Sequence, residues 1–262
     1  MTASELKSIA KHLYEAEVNV REVYKVTTTH KSDLTIDEAY IVQKELVKLK
    51  LADGKRIIGP KMGLTSKAKL LQMNVSDPIY GYIFDDMLID NGSSLSFKKL
   101  IHPKVEAEIA FVIGEDITGS NITGVDVLEK TEYIVPALEI IDSRYENFRF
   151  TLPDVIADNA SSSRVVFGMK CANPENFELD VLGVTLSING EIKAFGTGAE
   201  VLGHPANSVA MLANMLAKTG EKVKKGDIIL TGALTEALHL SIGDFISAKY
   251  DGLGEVRFSV SE

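Results

Sequence analysis

The sequence predicts an α+β fold, and a contrast between the two parts of the 262-residue chain carries that prediction. Residues 1–54 repeat apolar side chains at helical spacing, whereas from Arg56 onward short β-branched runs alternate with turn residues.

Thr2 followed by Glu5 has capping-box spacing, and Leu6, Ile9, Ala10, Leu13 and Tyr14 then recur at helical intervals. A first amphipathic helix is expected there. The same grammar at Thr35 and Glu38, followed by Ala39, Tyr40, Leu46 and Val47, predicts a second helix ending near Gly54. Beyond it, Arg56-Ile57-Ile58-Gly59 reads as a strand, and Asp90-Asn91-Gly92 and Ile188-Asn189-Gly190-Glu191 read as turns. Two helices interrupt this β-rich part, one around 124–131 and one from Pro205 to Lys218, with proline at its start and Gly220 just past its end. No solenoid repeat, low-complexity tract or Pro/Gly/Ser linker divides the chain. We therefore read 1–54 as an N-terminal helical segment and 55–262 as a β-rich catalytic core, together one functional unit.

Composition narrows the function. With 45% hydrophobic residues, 25% charged residues and seven prolines, the chain has the balance of a globular protein. A formal charge of −9 with interspersed signs, and no Lys/Arg cluster backed by aromatics, argues against nucleic acid. No apolar run approaches the ~20 residues that cross a bilayer, so no membrane partner is expected. The single cysteine, Cys171, lacks a disulfide partner and zinc-site spacing. It reads as ordinary packing in a cytoplasmic protein.

The chemistry concentrates on acids in apolar surroundings. In Lys104–Ile113, strand alternation puts Val105, Ala107, Ile109 and Phe111 on one face and Glu106, Glu108, Ala110 and Val112 on the other. Taken alone, such a strand usually carries solvated acids on an open face. Ala110 and Val112, however, continue the glutamate face as a buried one. Two adjacent like charges there cost several kcal/mol unless a cation neutralises them. Glu139 interrupts the apolar run Tyr133–Ile141 in the same way. Three carboxylates without histidine or cysteine form a hard, all-oxygen site, suited to Mg2+ with Mn2+ as the alternative.

Two further segments are dense in polar residues, 59–66 with Lys61, Thr65 and Ser66, and 155–163 with Asn159 and Ser161. Each reads as a capped turn or as a ligand-facing loop. Lys61 lies between two glycine-containing turns, where an ammonium can meet a carboxylate or enolate. Thr231 and Gly232 either offer backbone N–H groups to a carboxylate or end a strand. A dinucleotide loop at 196–203 is rejected, because its glycine spacing is wrong and a hairpin precedes it. His102 and His204 each precede proline, far from any Gly-x-Ser-x-Gly element, and read as turn residues rather than members of a hydrolase triad.

Five ordered motifs, at 61–66, 105–110, 136–144, 157–161 and 202–205, give the chain a resemblance over nearly its whole length. It resembles the 2-oxopent-4-enoate hydratase and 4-oxalocrotonate decarboxylase family of the fumarylacetoacetate-hydrolase-like superfamily. The resemblance implies a core of mixed sheets and a divalent metal on Glu106, Glu108 and Glu139. It places Lys61 and Ser161 in catalysis, beside the substrate-binding candidates Thr65, Ser66, Asn159, Thr231 and Gly232. It further implies a 2-oxo dicarboxylic acid as substrate, a homo-oligomer, and association of decarboxylase with hydratase partners.

Hydratases of this group carry Asp-Phe-Gly where this chain has Ile79-Tyr80-Gly81. Ile79, Ile101–Lys104 and Glu17–Val20 look more like the decarboxylase branch. That branch implies loss of carbon dioxide from 2-oxohex-3-enedioate to give 2-hydroxypenta-2,4-dienoate, in the meta-cleavage degradation of aromatic compounds. The alternatives are a hydratase and, more weakly, a C–C hydrolase or a non-catalytic 2-oxo acid binding protein.

Overall fold

A computed structural model describes residues 2–66, 70–71 and 78–262. Three helices precede the sheets: α1 (Ala3–Val18), α2 (Val26–Thr29) and α3 (Ile36–Ala52). Thr2 and Thr35 close the expected capping boxes with Glu5 and Glu38, each pair satisfying two amide groups that a helix start leaves unpaired. Gly54 ends the run with a positive φ of 82°. These helices have no core of their own. Ile9, Leu13, Val42 and Leu46 share one apolar cluster with Ile79, Tyr145, Val155, Ile156 and Ala160.

Among the described residues, the rest forms two mixed sheets. The larger has eight strands, in the order β2 (Ile79–Phe84), β1 (Ile57–Gly63), β10 (Ile228–Ala233), β5 (Lys104–Ile113), β6 (Thr131–Ile141), β7 (Ser162–Phe167) and β3 (Leu88–Ile89), with β11 (Leu238–His239) also pairing β5. The smaller runs β4 (Ser94–Ser96), β13 (Gly254–Ser261), β12 (Phe245–Tyr250), β8 (Gly183–Ile188) and β9 (Glu191–Thr197). Most neighbours are antiparallel, but β1 with β10, β3 with β7 and β13 with β4 are parallel. The β8–β9 hairpin turns on Asn189 and Gly190, both at positive φ, as the Asn-Gly pair requires.

The main core lies between the sheets, where Val105, Ile109, Phe111, Leu138 and Ile140 meet Leu186, Ile246, Ala248 and Phe258. Helix α6 (Pro205–Ala217) adds Val209, Leu212 and Leu216 to it. Across the large sheet, Ala110, Val112, Val135, Ala137, Val165 and Leu230 pack on Val47, Phe84 and Met87. The helix expected near 124–131 is α4 (Gly124–Lys130).

Three readings need correction. A further helix, α5 (Leu152–Ala157), covers the first three residues of the 155–163 segment read as a capped turn or ligand-facing loop; its six residues are too few to show a period, although Thr151 and Asp154 form a capping box. Lys61 stands inside strand β1, opposite Leu230 and Gly81, and not between turns. Cys171 is exposed, not packed. The rejected dinucleotide loop does follow a hairpin, and His204 caps α6 by accepting from the Ala206 N–H at 3.0 Å.

Candidate metal centre

The register of the two central strands assembles the acids. Glu106 on β5 stands opposite Glu139 on β6, and Glu108 stands opposite Ala137. Directly paired residues share a sheet face, so all three carboxylates project together beside Ala110 and Ala137. One oxygen from each lies within 4.8 Å of the others, and all three residues are buried. Because β5 is covered on both faces, its period-2 pattern separates two buried environments and not core from solvent.

Two strands away, Lys61 extends its ammonium to within 2.9 Å of Glu139 Oε2 and donates to the Ala160 carbonyl at 3.2 Å. Within β10, the bulge between Leu230 and Ala233 aims the Gly232 N–H at Glu108 Oε2, 2.8 Å away. Only glycine fits that bulge, since its φ is 111° and a Cβ would stand 2.0 Å from Thr65 Oγ1.

The electrostatics of the three acids suit a cation. Burial, then the neighbouring Glu139, pushes Glu108 well above the ordinary carboxylate range. Burial raises Glu139 as well, with Lys61 pulling it back. Glu108 Oε1 and Glu139 Oε1 are buried and accept no hydrogen bond from a described residue. Unsatisfied hard oxygens converging on one point fit a divalent ion such as magnesium.

Asn159, Ala160 and Ser161 form one wall, all at positive φ near 50–56°. Such strain needs external support. Arg144 supplies it: its guanidinium binds the Asp158 carboxylate at 2.5 Å and donates to the carbonyls of Asp142, Asp158 and Ser162. Gly81 lets the loop approach, because a Cβ there would stand 2.5 Å from the Asn159 carbonyl. The result is a buried Ser161 hydroxyl with no partner among the described residues, next in the chain to the Ala160 carbonyl that Lys61 binds.

Other candidates divide. Thr65 is buried against Gly232, and Ser66 is half-buried at the end of the same segment. The Asn159 amide is engaged with the backbone of Tyr82, donating to its carbonyl and accepting from its N–H, so it shapes the loop instead of presenting a free amide. The Thr231 hydroxyl donates to the Ile109 carbonyl at 2.9 Å, and the Gly232 N–H serves the protein's own Glu108. Sequence reasoning gave no role to Arg144 or Tyr250, whose partners are set by tertiary contact.

A family model described as fumarylacetoacetate (FAA) hydrolase C-terminal matches residues 58–261, from β1 to the last strand. The chain belongs to the fumarylacetoacetate hydrolase family. Within this family, 4-oxalocrotonate decarboxylase of Pseudomonas sp. (strain CF600) is 45% identical over 98% of this chain and 97% of its own. A 2-hydroxyhexa-2,4-dienoate hydratase of Comamonas testosteroni is 35% identical over 98% of both. The solved structure of 4-oxalocrotonate decarboxylase from Pseudomonas putida G7, complexed with magnesium and adipate, superposes with a TM-score of 0.97 at 44% identity, covering 99% of this chain and 98% of that one. Among the described residues, no helix is long and apolar enough to cross a membrane.

Proposed function

We propose that this protein is a magnesium-dependent carboxy-lyase that converts 2-oxohex-3-enedioate into 2-hydroxypenta-2,4-dienoate and carbon dioxide. The observation that carries the reading is the buried triad of acids, in which Glu108 Oε1 and Glu139 Oε1 accept no hydrogen bond from a described residue and Lys61 lies against Glu139, in a chain whose nearly full-length likeness includes 4-oxalocrotonate decarboxylases. The adipate held with magnesium by the Pseudomonas putida G7 enzyme is a six-carbon dicarboxylate, as is the proposed substrate.

In this reading Glu106, Glu108 and Glu139 hold the ion, with manganese an accepted substitute. When bound, the metal supplies Lewis acidity toward the substrate's 1-carboxylate and 2-oxo oxygens. Lys61 places its positive charge where negative charge develops on the 2-oxo oxygen. Ser161 donates its free hydroxyl to the substrate, and Thr65 and Ser66 line the approach. The C5–C6 bond breaks, its electron pair enters the conjugated system, carbon dioxide departs, and the 2-oxygen takes a proton. No water is added, so no acid is needed beside Lys61. Ile79 fits that requirement: at Gly63 a Cβ would meet its Cγ1 at 3.3 Å and Lys61 Nζ at 3.9 Å, so both side chains lie beside Gly63 and Ile79 brings no titratable group there. A homo-oligomer, association with the pathway hydratase and a cytoplasmic location belong to the same proposal.

The test is to incubate the magnesium-loaded protein separately with each substrate. Carbon dioxide release from the dicarboxylate is expected. Turnover of 2-hydroxypenta-2,4-dienoate without that release establishes a hydratase instead. Ile79→Asp should bring a carboxylate into competition for Lys61 and lower decarboxylation by about 10-fold or more; an unchanged rate removes Ile79 from the argument.

Protons provide an independent check. Glu108 and Glu139 have raised pKa values, so they retain protons above the ordinary carboxylate range and must release them to bind a cation. Magnesium binding is therefore expected to release protons and to weaken as pH falls. Calorimetry in buffers of different ionisation enthalpy measures this, and a proton count of zero across the range contradicts it.

A further inference from the structure

One hydroxyl of the small sheet reaches into the β5–β6 rung that carries Glu108. Tyr250, the last residue of β12 in the small sheet, buries its ring in the core between the sheets and reaches the backbone of the large one. Its hydroxyl accepts from the Glu108 N–H at 3.1 Å and donates to the Ala137 carbonyl at 2.5 Å. Glu108 and Ala137 are Cα partners, on the rung between β5 and β6 that lies two residues from the Glu106–Glu139 pair. On the opposite edge of β5, the Ala107 N–H donates to Thr235 Oγ1 at 3.2 Å, and the Ala107 carbonyl accepts from Leu234 N–H. The backbone that carries two of the acids is thus fixed by a side-chain hydroxyl on each edge.

We propose that Tyr250 is a positioning residue for the cation site, which sets the Glu108 backbone and through it the carboxylate that Gly232 fixes at the other end. The inference rests on the metal reading of the triad given above. The hydroxyl is suited to the task because it donates and accepts at once, whereas a phenylalanine at this place satisfies neither backbone group. Changes outside the ligand shell of a metal site weaken binding by about 10- to 100-fold, and Tyr250 acts at that remove.

Tyr250→Phe tests it, with Tyr145→Phe as the control. Tyr145 is equally buried, and its hydroxyl donates to the Asp154 carbonyl at 2.9 Å, away from β5. Magnesium titrated by calorimetry into the whole protein is expected to show an affinity about 10-fold weaker or worse for Tyr250→Phe and unchanged for Tyr145→Phe. Turnover of the Tyr250 variant should recover toward wild type at saturating magnesium, a split that a general loss of stability does not produce. A wild-type affinity in Tyr250→Phe overturns this inference while leaving the metal reading intact. A wild-type protein that takes up no magnesium overturns the metal reading, and this inference with it. Should Tyr250→Phe not fold, 3-fluorotyrosine at position 250 keeps the hydroxyl and reports directly. Its 19F resonance is expected to move when magnesium is added, and an unmoved resonance overturns the proposal.

Discussion

Glu108→Gln is expected to make the metal-free protein more stable and nearly inactive. The glutamine amide keeps the shape of the side chain, its carbonyl can still accept from the Gly232 N–H, and its NH2 can donate to the carboxylates of Glu106 and Glu139. What it removes is a fully buried acid pushed up by burial and by Glu139. A raised folded-state pKa means that the native protein binds more protons than the unfolded chain at pH values between the two pKa values. Wild-type stability therefore falls as pH rises from the ordinary carboxylate range toward the raised value. The advantage of Glu108→Gln should accordingly be small at pH 5 and larger at pH 8. There it is about 1–2 kcal/mol, or roughly 2–8 °C in Tm, in the presence of a chelator. Magnesium reverses the order. Wild type gains stability by linkage with the ion, while the variant, short of one anionic ligand, should bind it at least about 100-fold more weakly. Thermal unfolding of both proteins at both pH values, with chelator and with magnesium, gives four variant–wild-type differences, and a variant that is no more stable than wild type without metal at pH 8 sinks the account.

That trade of stability for function explains which parts of the molecule were legible in the sequence. Local chemistry was readable wherever it needed only a few neighbours: the capping boxes at Thr2 and Thr35, the Asn189-Gly190 hairpin, and the proline start and glycine end of α6. The acids were legible because they break a local rule without visible compensation, standing in runs that are otherwise apolar. Strand order was not legible, since β1 pairs with β10 across most of the chain and no local pattern encodes that partner. Ser161 was named from the sequence, but the shape of its loop was not legible, for a related reason. Its three positive-φ residues are not glycine, and they hold that shape because Arg144, Gly81 and Tyr82 brace them from elsewhere. Asn159 was expected near substrate from its polar segment and Thr231 from its backbone N–H, but packing assigned their side-chain polar atoms to the protein's own backbone.

Lys61→Met should separate metal binding from catalysis. Lys61 is buried, and its ammonium contacts Glu139 at 2.9 Å, so it competes electrostatically with any cation the triad binds. Methionine matches the length of the alkyl stem without the charge, and therefore removes the positive charge that repels a bound cation. Magnesium affinity is expected to hold or to tighten, in contrast to its loss in Glu108→Gln. Turnover is expected to fall by about 100- to 10,000-fold, because the charge opposite the developing enolate oxygen is gone and a preorganised group of this kind supplies about 3–5 kcal/mol. Lys61 also donates to the Ala160 carbonyl, so the Ser161 loop loses one tie, but Arg144 and the Asn159 amide continue to hold it. The loss should consequently appear in kcat more than in KM. Two measurements decide: magnesium calorimetry, and carbon dioxide release at saturating substrate and metal. If affinity and turnover fall in parallel, Lys61 is a scaffold for the metal site; if turnover stays within a few-fold of wild type, the metal alone carries the charge that develops as carbon dioxide leaves.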